Sequence, residues 1–132
     1  MIDHLPQAVP PDDPQARRSY EQDLAALGKR PNVYVKGSEI LRSRKGPVSV
    51  DLNLYRPWLD EIWEMFGEDR LLFASDWPNS DGIAPFATHV DIIREYVAGK
   101  GARATEKFFW KNSTVVYRWT PRDAAQRELM RG

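Results

Sequence analysis

Apolar residues recur at helical spacing in several stretches of this chain. In the clearest stretch, Leu59, Ile62, Trp63 and Phe66 are spaced i, i+3, i+4 and i+7, as on one buried face of a helix. Gly67 follows directly and predicts the end of that helix. Further helices are predicted over residues 20–28, 86–99 and 105–110, the last with Thr105 as its N-terminal cap.

Short apolar runs between these helices predict strands. Residues 70–75 (RLLFAS) form a nearly continuous apolar run, as expected of a strand buried on both faces. Residues 32–36 (NVYVK) form a second β-rich run, and residues 1–4 look like the end of a third strand. Strands that alternate with amphipathic helices predict an α/β fold with parallel βαβ units. Residues 38–53 are interpreted as a long polar loop.

The predicted strands end near residues 4, 37 and 75, intervals that fit one βαβ unit each. Three parallel strands alone would leave both edges of the sheet open, which intact proteins usually avoid. A complete (β/α)₈ barrel needs about 250 residues, whereas this chain has 132. We therefore expect a partial TIM barrel that holds about the last three βα units.

The composition narrows the class of protein. With 42% hydrophobic and 29% charged residues, a globular class is expected. The 19 basic residues balance 19 acidic ones, so charge gives no reason to expect a nucleic-acid or membrane partner. Cysteine is absent, which excludes disulfides and thiolate ligands. No apolar run approaches the ~20 residues of a membrane span, and the first residues lack the pattern of a signal peptide. The cytoplasm is the expected location.

Two polar residues stand at predicted strand ends and are candidates for chemistry. His4 and Asp76 each precede or begin a proline-bearing loop, and catalytic groups converge at this end of parallel strands. Imidazole and carboxylate groups both bind divalent metals, and a carboxylate can take a proton from an attacking water. Alternatively, His4 is a solvent-facing terminal histidine and Asp76 a turn carboxylate.

Four segments together resemble one known family. Residues 66–78 (FGEDRLLFASDWP) resemble the hallmark of the amidohydrolase-related (amidohydrolase 2) family, in which FG-x-DR and an apolar strand lead to SDWP. Residues 1–5 (MIDHL) resemble its strand-end histidine segment, residues 31–38 (PNVYVKGS) its PNVYVKLSG strand, and residues 107–117 (KFFWKNSTVVY) its closing helix. By this resemblance, residues 1–120 are the C-terminal portion of a TIM-barrel domain, and residues 121–132 are a polar tail.

The resemblance implies a hydrolase that acts on a lactone, ester or amide carbonyl. It places Asp76 at the last-strand aspartate, which binds metal or acts as general base, and His4 at a metal ligand or substrate contact. The implied cofactor is a divalent metal, zinc or manganese, although some lactone hydrolases with SDWP look metal-independent. Lys36 and Trp77 are candidates for binding the small-molecule substrate. Each also has a structural interpretation, Lys36 as a strand-end lysine and Trp77 as packing under the loop.

The chain also departs from the family pattern. It has no His-x-His pair, and its two histidines are His4 and His89. His89 lies on a predicted helix and is expected at the surface. Gly37-Ser38-Glu39 replaces the usual Leu-Ser-Gly. Two ligands, His4 and Asp76, do not complete a zinc site, which needs three protein ligands. The basic run at residues 42–45 is expected to be a solvated loop rather than a site for an acidic substrate.

Three alternatives to the hydrolase remain open. The chain could be a truncated, non-catalytic product, or an assembly module whose strand edges bind a partner such as a second copy in a homo-oligomer. A decarboxylase of the same family is the third alternative, because the residues of this chain do not distinguish it from a hydrolase.

Overall fold

The computed structural model describes residues 1–6, 11–41 and 48–130. In this part of the chain, helices alternate with two short strands before a helical C-terminal region. The elements in chain order are α1 (Pro14–Gly28), β1 (Val35–Gly37), α2 (Leu52–Phe66), β2 (Leu71–Phe73), α3 (Phe86–Ala98), α4 (Ala102–Glu106), a π-helical turn (Lys107–Lys111), α5 (Asn112–Val116) and α6 (Ala124–Leu129).

The two strands form a parallel sheet. Val35 pairs with Leu71, and Gly37 with Phe73. On the other side of β1, Ile2 forms an isolated parallel bridge: its N–H donates to the Tyr34 carbonyl at 2.8 Å, and its carbonyl accepts from the Lys36 N–H at 3.0 Å. The first of the three predicted strands is thus a single bridge, but the chain there runs in the expected direction.

Local sequence signals explain where α1 and α2 begin and end. Asp13 caps α1 by accepting from the Ala16 N–H at 2.7 Å, and proline occupies the first helical position, which suits its fixed φ. Asp51 caps α2 in the same manner. Gly67 ends α2 with φ +71°, a left-handed conformation that glycine adopts at low cost.

One arginine connects α1, α2 and β2. The guanidinium group of Arg70, just before β2, donates to four main-chain carbonyls, those of Gly28, Arg30, Met65 and Phe66. These carbonyls lie at or just beyond the C-terminal ends of two helices, where acceptors have no helical partner. Arg70 thereby fixes both helices against the start of β2.

The core lies between the helices and the sheet. Its largest fully buried side chains include Phe66, Leu41, Ile62, Leu72 and Ile93. Across the described residues, no helix combines the length and the apolar character required to cross a bilayer.

Two sequence predictions about connecting segments need correction. Ile40 and Leu41 are buried in the core, at 4% and 0% exposure, and α2 begins at Leu52. Residues 38–53 are therefore not simply a polar loop. The helix predicted from Thr105 begins one turn earlier, at Ala102, and the Thr105 hydroxyl donates back to the Gly101 carbonyl at 2.9 Å. In the C-terminal tail, Asp123 caps the short helix α6, none of whose residues is buried.

Candidate active site

The carboxyl ends of the parallel segments meet in one shallow depression. His4 follows the bridge residue Ile2, Ser38 follows β1, and Asp76 follows β2. Parallel strands present these ends at the same edge of a sheet. The depression has a volume of about 260 Å³ and is lined by Asp3, His4, Lys36, Ser38, Ala74 and Asp76.

His4 is held in a defined orientation by its neighbours. Its Nδ1 lies 2.9 Å from Ser38 Oγ and 3.6 Å from a carboxylate oxygen of Glu39. The Ser38 hydroxyl donates to the Asp3 carbonyl at 3.2 Å, so its proton is not available to the imidazole. Nδ1 is therefore the donor to Ser38. In the neutral ring this assignment leaves Nε2 as an acceptor, the form in which histidine binds a metal.

Glu39 is the site residue that sequence reasoning missed. The side chains of His4, Glu39 and Asp76 each offer one ligand atom, and these atoms lie within 4.8 Å of one another. Glu39 has φ +57°, and it stands where the family pattern has glycine. A left-handed backbone is costly for a residue with a side chain. The replacement of that glycine by an acidic residue was the signal that could have identified Glu39.

Asp76 also has a left-handed backbone, with φ +56°. One carboxylate oxygen accepts from the Asn79 side-chain amide at 3.3 Å, and its carbonyl accepts from the Ser80 N–H at 3.3 Å. Such conformations persist where the surrounding structure holds them, often at functional sites. The cluster thus contains two residues, Glu39 and Asp76, with unfavourable backbone angles.

Lys36 lines the same depression and forms an ion pair with Asp3. Its ammonium group donates to the Asp3 carboxylate at 2.7 Å. This hydrogen bond raises the pKa of Lys36 and lowers the pKa of Asp3, and the nearby Tyr117 hydroxyl also raises the pKa of Lys36. Lys36 is consequently a cation at neutral pH, next to the predicted catalytic group.

Gly37 allows the helical C-terminal region to approach the site closely. A Cβ atom at this position would meet Phe108 Cζ at 2.5 Å. Phe108 lies in the π-helical turn and is 3% exposed. Its ring occupies the space that a side chain at residue 37 would need, which accounts for glycine where the family pattern has leucine.

Trp77 lies beside the depression but is not among the residues that line it. Its side chain is 46% exposed, and its ring meets the ring of Phe86 edge to face, with centroids 5.6 Å apart. Edge-to-face packing of this kind is a favourable aromatic geometry. Its role in substrate binding stays a prediction.

The prediction of a surface position for His89 was wrong. His89 is only 6% exposed, and its Nε2 lies 3.2 Å from the Ser80 carbonyl. It falls on the inner face of α3, together with Ile93 and Tyr96. The basic run at residues 42–45 lies outside the described residues.

The chain is similar to several solved structures. An amidohydrolase from Burkholderia multivorans with bound HEPES is 23% identical, with a TM-score of 0.69 over 82% of this chain and 39% of that chain. Amidohydrolase 2 from Bifidobacterium longum subsp. infantis is 28% identical, with a TM-score of 0.61 over 89% and 39%. A proposed 2-pyrone-4,6-dicarboxylic acid hydrolase from Pseudomonas putida is 24% identical, with a TM-score of 0.65 over 89% and 42%.

These similarities confirm the prediction of an α/β fold with parallel strands. The parallel α/β arrangement matches part of the TIM barrel of amidohydrolases, while the number of βα units stays a prediction. This chain spans about two fifths of the length of the structures that it matches. No curated protein matches it significantly. The sequence model described as Amidohydrolase matches residues 1–119, and the chain therefore belongs to the amidohydrolase family.

Proposed function

We propose that the protein is a hydrolase in which Asp76 activates water against a lactone, ester or amide carbonyl. The observation that carries this proposal is the convergence of His4, Glu39 and Asp76 within 4.8 Å at one edge of a parallel sheet. These three residues are distant in sequence, and two of them have left-handed backbones. Such strain is more economically explained by a function of the side chains than by packing.

The cluster fits a divalent cation. One imidazole nitrogen and two carboxylates are a ligand set suited to zinc or manganese, and a catalytic zinc site has three protein ligands with one open position. His4, Glu39 and Asp76 supply this number, whereas the sequence had offered two ligands. The hydrogen bond between His4 Nδ1 and Ser38 fixes the orientation of the imidazole ring, as partners of ligating histidines commonly do. One structure of the Burkholderia amidohydrolase holds zinc, which supports the same assignment here.

When bound, such a cation would polarise the carbonyl and lower the pKa of a water molecule. The chain's own residues would supply the remaining functions. A carboxylate has two oxygens, so Asp76 can face the cation with one and accept a proton from water with the other. Lys36 carries a positive charge in the same depression and would orient an oxygen of the substrate.

A cyclic ester is the substrate that we favour within this class. The SDWP segment resembles that of lactone hydrolases, and the similar Pseudomonas putida protein has a proposed pyrone-ring substrate. Trp77 offers a half-exposed aromatic face directly after Asp76, which suits contact with a ring. Trp77→Ala should therefore raise KM for a lactone more than it lowers kcat.

Cation binding and catalysis can be tested separately. Isothermal titration calorimetry of the chain with Mn²⁺ or Zn²⁺ should show one binding site. The variants Asp76→Asn, His4→Ala and Glu39→Gln should each lower the affinity of this site for the cation. Asp91→Asn is the matched control, because Asp91 is an exposed carboxylate on α3 paired with Arg94. In the full-length protein, a lactonase rate that survives Asp76→Asn unchanged would reject the role given to Asp76.

A second candidate function, an assembly module, is favoured by the surface of the chain. Within the described residues β2 pairs with β1 alone, so its other edge is open to a further strand. Several large apolar side chains are also exposed, among them Leu54, Val115, Tyr117 and Leu129. Analytical ultracentrifugation distinguishes the cases: a concentration-dependent oligomer supports this candidate, and a monomer with cooperative unfolding contradicts it.

A further inference from the structure

We propose that His89 is a positioning residue for Asp76, acting through Ser80 in the intervening turn. This inference deepens the proposed function and rests on it where cation affinity is the readout. His89 does not belong to the cluster of His4, Glu39 and Asp76, and the resemblance to the amidohydrolase family gives it no role. Its burial on α3 instead connects a helix of the core to the segment that carries Asp76.

The connection begins at the imidazole. His89 is 6% exposed, and its Nε2 lies 3.2 Å from the Ser80 carbonyl. A carbonyl oxygen only accepts hydrogen bonds, so Nε2 carries the proton and donates. A buried donor with a partner of this kind has one favourable orientation, because leaving it unpaired would be costly. Helix α3 therefore helps to hold the Ser80 carbonyl, which also accepts from the Ile83 N–H at 3.0 Å.

Ser80 passes this constraint on to the end of β2. It is 2% exposed, and its N–H donates to the Asp76 carbonyl at 3.3 Å. Its hydroxyl donates to the Ser75 carbonyl at 3.4 Å. Ser80 thus holds the main chain at Asp76 itself and at the residue before it.

Asp76 has particular need of such support. Its φ of +56° is an unfavourable conformation for a residue with a side chain, and it persists only when neighbouring structure enforces it. A relaxed main chain would redirect the carboxylate away from His4 and Glu39. Residues that orient a metal ligand typically change metal affinity by about 10- to 100-fold when mutated.

The test compares three variants. Glutamine can place an N–H donor close to the position of histidine Nε2, so His89→Gln should keep Mn²⁺ affinity close to that of the wild type. His89→Leu retains bulk without a donor and should weaken Mn²⁺ binding by about tenfold or more. Ile93→Val is the matched control, because Ile93 lies one turn further along α3 and is 2% exposed. It should lower thermal stability without changing Mn²⁺ affinity.

A second measurement does not depend on the cation. Amide hydrogen exchange at Ser80 reports its bond to the Asp76 carbonyl. Exchange should become faster in His89→Leu, while His89→Gln and Ile93→Val should retain protection. If exchange is faster in His89→Leu but the wild-type chain does not bind Mn²⁺, the proposed function is rejected and the positioning role is retained. Unchanged exchange and affinity in His89→Leu, or equal effects in Ile93→Val, would overturn the inference.

Discussion

Replacing Glu39 by glycine should separate the backbone cost of this residue from its contribution to the site. The left-handed conformation of a residue with a side chain costs about 1–2 kcal/mol, and Glu39 has φ +57°. Glycine removes that cost, but its greater conformational freedom in the unfolded chain destabilises the folded state by about 0.5–1 kcal/mol. We therefore expect Glu39→Gly to be at least as stable as the wild type without cation, with a gain of up to about 1.5 kcal/mol.

When cation is present, the wild type should instead be more stable than Glu39→Gly. A cation at 100 times its Kd stabilises the folded state by about 2.7 kcal/mol. Outer-shell partners of metal ligands change affinity by about 10- to 100-fold, and a direct ligand should contribute at least the upper figure. If loss of the Glu39 carboxylate raises Kd about 100-fold, only about 0.4 kcal/mol of this stabilisation remains. The wild type should thus gain about 2 kcal/mol more than Glu39→Gly from the same cation.

Urea unfolding followed by circular dichroism, with and without MnCl₂, measures both effects. Arg118→Gly is the matched control, because Arg118 also has a positive φ, of +51°, but is not part of the cluster. It should gain stability without cation and respond to Mn²⁺ like the wild type. A Glu39→Gly variant with the full cation response of the wild type would show that Glu39 does not bind the cation.

Three further predictions concern the fold that supports the site. Gly37→Ala should destabilise the chain by about 1–3 kcal/mol in urea unfolding, because the new Cβ would meet Phe108 Cζ at 2.5 Å. Adding Phe108→Leu to this variant should recover part of the lost stability. Asn112→Ala should lower the free energy of unfolding by about 2 kcal/mol, since the buried amide donates to the Glu68 and Leu71 carbonyls. A urea midpoint equal to that of the wild type would contradict this expectation. The Lys100 hydrogen bond lowers the pKa of Asp60 below 3.8, so the folded state binds fewer protons than the unfolded state there. This stabilisation should be complete above pH 3.8 and decline as the pH falls below it, and Asp60→Asn should flatten that part of a stability–pH profile.

The hydrophobic pattern predicted where three helices and the strands end, but not where α1 begins, since that helix starts at Pro14 and was predicted from residue 20. Periodic apolar positions followed by Gly28, Gly67 and Gly99 located the ends of α1, α2 and α3. This success has a physical reason, because burial of one helix face and a glycine stop are both local properties of the sequence. The placement of His4 and Asp76 at one edge of the sheet followed from the parallel order of strands.

What the sequence did not predict depends on context beyond periodicity. His89 lies one turn before Ile93, which is buried on the inner face of α3, but its polarity was taken to indicate exposure. Its partner, the Ser80 carbonyl, belongs to an irregular turn, which no periodic pattern describes. Polar residues can be buried whenever a hydrogen-bond partner is present.

Glu39 was missed for a different reason. It follows a strand by two residues in a segment interpreted as a polar loop, and its left-handed backbone is a property of the folded chain. The burial of Ile40 and Leu41 anchors this segment in the core and brings Glu39 towards His4. Besides the acidic residue in place of the family's glycine, the apolar pair at residues 40 and 41 was a second signal, because it indicates that this segment packs against the core.

The sharpest test of the proposed cation site is a structure of the chain crystallised with Mn²⁺ or Zn²⁺, with the ion located by anomalous scattering. We expect one ion bound by a ring nitrogen of His4 and by carboxylate oxygens of Glu39 and Asp76. An ion bound elsewhere, or no ion at this edge of the sheet at saturating concentration, would contradict it.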